Sequence, residues 1–190
     1  MLHVLVYGAS CTGKTAWVNH ILNRIPARNT YKSTEGLAIS LFHWKETSVA
    51  IVDAGGKESN AELVEESLHD IHVVLLVYDS ARARTLTDAI NFYKTIPPNI
   101  PVVLAATTFY GRVNGDVVMQ GKTHATRWGV PQYLVDPLSR SSCLLLLDMV
   151  IEASKTPRQL VVHTDTDTDN PEPEDECFPQ CCHPRECSIM

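Results

Sequence analysis

The stretch Gly8-Ala9-Ser10-Cys11-Thr12-Gly13-Lys14-Thr15 fits the pattern G-x-x-x-x-G-K-[ST]. It follows the apolar run of residues 2–7, which predicts a strand, and it opens a helical stretch over residues 14–24. In this setting the glycines let backbone N–H groups close around phosphate oxygens, and the positive end of the helix points at the anion. The stretch therefore predicts a phosphate-binding loop. The alternative is a glycine-rich turn with a solvated lysine.

Three side chains in this loop suggest specific chemistry. Lys14 is expected to reach the β- and γ-phosphates of a nucleotide, and the hydroxyl of Thr15 is a ligand for Mg²⁺. Cys11 lies where backbone dipoles favour a thiolate, which suggests redox sensitivity. The simpler interpretation of Cys11 is a small residue that fills the loop. The loop as a whole predicts nucleotide binding through residues 8–15.

Short β-rich runs alternate with helical stretches along most of the chain. Runs such as residues 73–77 are continuously apolar, as is typical of strands that are covered on both faces. The predicted strands are residues 2–7, 37–44, 47–52, 71–78, 101–106 and 132–135, and the predicted helices are residues 14–24, 58–69, 85–95 and 140–153. This alternation predicts an α/β P-loop NTPase fold, with about six mostly parallel strands flanked by helices.

The composition predicts one folded domain followed by an acidic tail. The chain has 190 residues and a net charge of −6, which argues against nucleic-acid binding. Between Asp165 and Glu176 lie seven of the 22 carboxylates, together with prolines and no large apolar residue, which predicts a disordered linker. We expect a folded domain over residues 1–156 and a disordered, cysteine-rich tail over residues 157–190. Neither a targeting peptide nor a membrane-spanning stretch is evident.

A second phosphate-related motif follows the predicted strand of residues 47–52. The sequence Asp53-Ala54-Gly55-Gly56 places a carboxylate where it can hold Mg²⁺ through water, and a glycine whose N–H can meet a γ-phosphate. Thr34 lies between the two motifs, in the stretch of residues 31–36. With these residues the chain resembles the Ras superfamily of small GTPases, and its Rab-like branch in particular. The resemblance extends from residue 1 to about residue 155.

The resemblance implies a molecular switch that binds GTP or GDP together with Mg²⁺. Thr34 matches the switch I threonine, so that Thr15, Thr34 and Asp53 are the expected metal ligands. Residues 53–56 match the D-x-x-G of switch II, in which Gly56 senses the γ-phosphate. Both switches are expected to reorder with the nucleotide and to bind effector proteins. The family resemblance fits vesicle trafficking and signalling equally well.

Two departures from the family pattern concern hydrolysis and base recognition. Lys57 stands where family members usually have the glutamine that orients the attacking water. Because an ammonium only donates hydrogen bonds, Lys57 predicts slow hydrolysis, although it can also be a surface lysine without a role. Residues 107–110 replace the N-K-x-D motif whose carboxylate selects guanine, and residues 136–139 replace the later S-A-K loop. Asp136 either supplies the missing carboxylate or belongs to an Asp-Pro turn.

The sequence of the tail predicts a lipid anchor. The chain ends Cys187-Ser188-Ile189-Met190, a C-a-a-X signal for a farnesyl group on Cys187. One lipid chain binds a membrane only marginally, so palmitate is expected on Cys177, Cys181 or Cys182 as a second anchor. The protein is then expected on the cytoplasmic face of a membrane, with a cytosolic pool. A zinc site that includes His183 and an unmodified tail are the alternatives.

Three classes of function remain open on the sequence alone. The leading one is a divergent small GTP-binding protein that acts as a membrane-anchored switch, with weak GTPase activity. The second is a pseudoGTPase, a scaffold at a membrane whose nucleotide is structural or absent. The third is an ATP-using P-loop enzyme such as a small kinase, for which the sequence offers no module that would bind an acceptor.

If Lys57 slows hydrolysis, Lys57→Gln should hydrolyse bound GTP about tenfold faster or more, because an amide can both accept from and donate to the attacking water. Single-turnover hydrolysis of preloaded GTP measures the effect. Lys57→Ala is the control, since it removes the ammonium without adding an amide. Equal rates for Lys57→Gln and the parent chain would show that this residue does not limit hydrolysis.

Overall fold

The computed structural model describes residues 1–23, 36–55, 64, 66–109 and 111–156. Within them the chain forms β1 (Leu2–Tyr7), α1 (Lys14–Ile21), β2 (Leu37–Trp44), β3 (Thr47–Ala54), β4 (Val73–Asp79), α2 (Ala83–Tyr93), β5 (Val102–Thr107), α3 (Gly115–Trp128), β6 (Gln132–Val135) and α4 (Arg140–Ala153). A short 3-10 helix at Leu68–Asp70 precedes β4. The predicted alternation of strands and helices is confirmed.

The six strands form one sheet in the order β2-β3-β1-β4-β5-β6. The β2–β3 hairpin is antiparallel, and every other neighbouring pair is parallel. Because parallel strands end at the same edge of a sheet, the segments that follow β1, β4, β5 and β6 meet there, next to the end of β3. Ligands of open α/β sheets bind at this edge. The predicted fold class, a mostly parallel six-stranded α/β sheet, is therefore confirmed.

Two hydrophobic layers cover the two faces of the sheet. On one face, residues such as Leu5, Leu76 and Phe92 form a cluster to which α2 and α3 contribute. On the other face, Val4 and Trp17 belong to a second cluster to which α1 and α4 contribute. Strands β4 and β5 are buried along their whole length, as their continuous apolar runs predict. Each fully buried large side chain contributes roughly 1.5–3 kcal/mol to folding.

Several predicted boundaries differ from the structure. Strand β3 continues to Ala54, because both neighbours pair with Asp53, which lies opposite Val6 on one side and Ala38 on the other, and β2 also pairs with Ala54. The predicted carboxylate therefore belongs to the strand itself. Helix α1 ends at Ile21, before the predicted residue 24, and Asn23 adopts a left-handed φ of 54°. Most of the predicted helix over residues 58–69, and the whole tail over residues 157–190, lie outside the described residues.

Helix α3 is absent from the sequence-based prediction. Its buried residues are few and mostly small, namely Val117, Gly121 and Ala125, so that the segment is polar on average and does not stand out as a helix with a large apolar face. Its ends nevertheless have ordinary signals. The side chain of Asn114 accepts from Asp116 N at 3.0 Å, as an N-cap residue does. Gly129 closes the helix with a left-handed φ of 65°.

The turn between β2 and β3 is attached to α4 through one carboxylate. Trp44 Nε1 and Lys45 Nζ donate to Asp148 Oδ1 at 2.7 and 2.8 Å. The hydrogen bond from Lys45, reinforced by that from Trp44, lowers the pKa of Asp148 below its usual value. The hairpin that contains Asp53 is thereby fixed to the last helix of the described chain.

Gly121 allows α3 to approach the sheet closely. Tyr78 is fully buried and its hydroxyl accepts from Gln132 Nε2 at 2.5 Å, while burial raises the pKa of Tyr78 to about 12. A Cβ atom on Gly121 would lie 2.8 Å from Gln132 Nε2 and 2.9 Å from Tyr78 Cζ. The helix and this buried hydrogen bond therefore fit together only because residue 121 has no side chain.

Gly121→Ala should lower the free energy of unfolding by about 1–3 kcal/mol, because the added methyl group overpacks a buried site. Chemical denaturation measures the change. Gly115→Ala is the matched control in the same helix, since a Cβ atom there would meet nothing within 4 Å. It should be neutral or stabilise by up to about 1 kcal/mol. Equal stabilities of the two variants would contradict this account of the packing.

Candidate nucleotide-binding site

The loop between β1 and α1 makes a tight turn that requires both of its glycines. Gly8 passes so close to β4 that a Cβ atom would lie 3.0 Å from the carbonyl carbon of Val77. Gly13 has a φ of 91°, a conformation that favours glycine, immediately before α1 begins. Cys11 also adopts a positive φ, 60°. Turns of this kind bring successive N–H groups together as an anion-binding concavity.

Lys14 is buried although it is a lysine, and its side chain folds back over the loop. Its Nζ donates to Gly8 O at 2.7 Å and to Ala9 O at 2.8 Å. Burial lowers the pKa of Lys14 to about 8, and the nearby Asp53 opposes this shift. The ammonium group is therefore held at the centre of the loop, where an anion would stabilise its charge.

The two predicted metal ligands that lie in the described residues are in contact. Thr15 Oγ1, at the start of α1, donates to Asp53 Oδ2 in β3 at 2.8 Å. Asp53 is 3% exposed, so its carboxylate is shielded from bulk solvent. Mg²⁺ binds oxygen ligands and usually relies on one or two protein groups together with substrate phosphates. The hydroxyl and the carboxylate beside the loop fit this ion.

Two further side chains, from the ends of β5 and β4, bind the backbone of the loop. Thr107, at the end of β5, places its hydroxyl 2.9 Å from Thr12 O and 3.0 Å from Tyr78 O. Arg82, in the turn after β4, donates through Nη2 to Cys11 O at 2.8 Å. Arg82 belongs to no sequence motif, and Thr107 lies in the segment that replaces N-K-x-D. Sequence analysis did not identify either residue as a contact of the loop. The parallel sheet is what brings them to it.

On the β5 and β6 side, apolar groups pack against the loop. A Cβ atom on Gly13 would lie 2.9 Å from Phe109 Cζ and 3.2 Å from Pro137 Cβ. These two residues belong to the segments that replace the family's base-recognition motifs. The described residues at this point therefore offer an aromatic ring and a proline ring where the family has polar groups.

Asp136 forms the Asp-Pro turn that is one of its two predicted roles. Its Oδ1 accepts from Leu138 N at 2.9 Å, which is the hydrogen bond of an Asx turn. Its backbone N–H donates to Ser142 Oγ at 3.1 Å, which fixes the same turn against α4. One carboxylate oxygen is thus engaged within the turn, and the contact of Asp136 with guanine stays a prediction.

Cys11 is exposed, whereas Cys143 is buried and burial raises the pKa of its thiol to about 12.

The remaining predicted site residues lie outside the described part of the chain, and their roles stay predictions. They are Thr34, Gly56 and Lys57 of the switch segments, and Cys177, Cys181, Cys182 and Cys187 of the tail.

The fold, the phosphate loop and the Thr15–Asp53 pair together define a P-loop nucleotide-binding domain of the small G-protein type. The family model that describes the Ras family matches residues 3–128, which is more than half of the chain. The chain therefore belongs to the Ras family of small GTP-binding proteins. No curated protein matches the chain.

Proposed function

We propose that the protein is a switch that binds GTP and GDP with Mg²⁺ and hydrolyses GTP slowly. The observation that supports this most strongly is the joint placement of Lys14, Thr15 and Asp53 at the loop edge of the sheet. All three have the side-chain chemistry that phosphate and Mg²⁺ require. The Ras-family match supports the guanine nucleotide as ligand.

The described residues would have separate roles in nucleotide binding. Lys14 already has its ammonium fixed by two loop carbonyls and would add phosphate oxygens as further partners. Thr15 and Asp53 would hold Mg²⁺, which neutralises charge on the phosphates. Thr34 and Gly56 are proposed to complete the metal and γ-phosphate contacts, as the resemblance implies. Their rearrangement between GTP and GDP would change which effector binds through switch I and switch II.

The base side of the site favours a second candidate, the pseudoGTPase. Phe109 and Pro137 pack against Gly13, and Asp136 is engaged in its own turn. Loss of a charge-assisted hydrogen bond to guanine costs roughly 1.5–3 kcal/mol, or about ten- to a hundredfold in affinity. A protein with these substitutions would bind phosphate well and read the base poorly. Its nucleotide would then be structural or absent.

The nucleotide retained by the full-length protein distinguishes the two candidates. We expect roughly one GTP or GDP per protein molecule after purification in Mg²⁺, denaturation and ion-pair chromatography. Retained GTP would also support slow hydrolysis. Lys14→Met is the control, because it keeps a side chain of similar length without the ammonium and should retain little nucleotide. A folded parent chain that is empty and binds neither added GTP nor added ATP would be a pseudoGTPase.

We further propose that the tail anchors the protein to the cytoplasmic face of a membrane, in a Rab-like role in trafficking or signalling. No helix among the described residues is long and apolar enough to cross a bilayer. The proposed anchor is a lipid at Cys187, with palmitate at Cys181 or Cys182. The acidic linker adds no attraction to an anionic membrane surface.

Mass spectrometry of the full chain from its native cell should show farnesyl on Cys187 and loss of the last three residues, because C-a-a-X processing removes them. Cys187→Ser should keep all of its residues and move from the membrane to the soluble fraction. An intact, unmodified Met190 in the parent chain would refute the anchor and leave the nucleotide proposal unaffected.

A further inference from the structure

Arg82 lies in the turn between β4 and α2 and contacts the phosphate loop from outside. Its Nη2 donates to Cys11 O at 2.8 Å and lies 3.4 Å from Ser10 O. Its Nε donates to Asp79 Oδ2 at 2.7 Å. One guanidinium group thus connects the end of β4 with the middle of the loop.

Asp79 holds the guanidinium in a fixed orientation. Its side chain is 12% exposed, so its attraction to Arg82 is less screened than that of a surface pair. The second carboxylate oxygen accepts from Ala81 N at 2.9 Å, and the backbone N–H of Asp79 donates to Thr85 Oγ1 at 2.9 Å. The carboxylate that orients Arg82 is therefore fixed to the turn and the first residues of α2.

Arg82 contacts backbone carbonyl groups of the loop, and this affects the direction in which the loop N–H groups point. In an anion-binding turn the N–H groups face the ligand, and their loop must keep its carbonyl groups turned away. A charged guanidinium that binds two successive carbonyls, those of Ser10 and Cys11, stabilises this orientation.

We propose that Arg82 is a positioning residue that holds the phosphate loop in its anion-binding conformation before the nucleotide arrives. The planar fork of arginine suits this role, because Nε and Nη2 bind groups on two different elements at once. The effect of Arg82 on GTP rests on the proposed function. Its effect on the loop does not, so the two can be tested separately.

The first measurement is hydrogen exchange of the nucleotide-free, full-length protein over residues 8–15. Arg82→Ala should increase exchange there about tenfold, because the carbonyl contacts that orient the loop are lost. Arg82→Lys should be intermediate, since an ammonium retains the charge without the fork. Arg84→Ala is the matched control: Arg84 is an exposed arginine two residues further on, and its variant should exchange like the parent. Residues 102–128 should be unchanged in all variants.

The second measurement is the dissociation rate of a fluorescent GTP analogue from the same proteins. We expect Arg82→Ala to release it about tenfold faster and Arg84→Ala to release it at the parent rate. Unchanged loop exchange in Arg82→Ala would overturn the proposal even if GTP binds. Faster exchange throughout residues 102–128 would also overturn it, because Arg82 would then stabilise the whole fold. Suppose that Arg82→Ala exchanges faster only in the loop and that the parent chain binds no GTP. This pair of results would support the positioning role of Arg82 and refute the proposed function.

Discussion

The pairing of β1 between β3 and β4 is the constraint on which the site depends. This central position in a parallel sheet places the loop after β1 beside the ends of both neighbours. The register then sets Asp53 opposite Val6, so that its carboxylate reaches the hydroxyl of Thr15 at the start of α1. A shift of one residue would turn the side chain of Asp53 to the other face of the sheet. The proposed metal ligands are therefore positioned by strand pairing and do not depend on the loop alone.

At this edge of the sheet, the side chains expected for phosphate binding are present, whereas those expected for base recognition are replaced. The phosphate side has the side chains that its chemistry demands, with a buried lysine and a hydroxyl–carboxylate pair. The base side has an aromatic ring and a proline against Gly13. Phosphate recognition relies on backbone geometry and charge, whereas base recognition relies on individual polar groups. The two can therefore diverge independently within one fold.

The sequence predicted what depends on local patterns. The continuous apolar strands and their alternation with helices are properties of short segments, and they are confirmed. The sequence does not predict helix α3, because its buried face contains small residues such as Gly121 and Ala125 and the segment as a whole is polar. Arg82 and Thr107 could not be identified as loop contacts, because each lies about 70 or more positions from its partner in the loop. Only the three-dimensional sheet brings them together.

Burial of Lys14 would couple the binding of an anion to proton uptake by its amine. Burial lowers the pKa of Lys14 to about 8, so that in the empty loop part of the protein population has a neutral amine at mildly alkaline pH. A phosphate anion would raise that pKa again, because it favours the charged form. Near and above pH 8, entry of a phosphate would therefore be accompanied by uptake of a fraction of a proton at Lys14, and its departure by release of the same fraction. Well below that pH the amine is already charged, and the same exchange is proton-neutral at this residue.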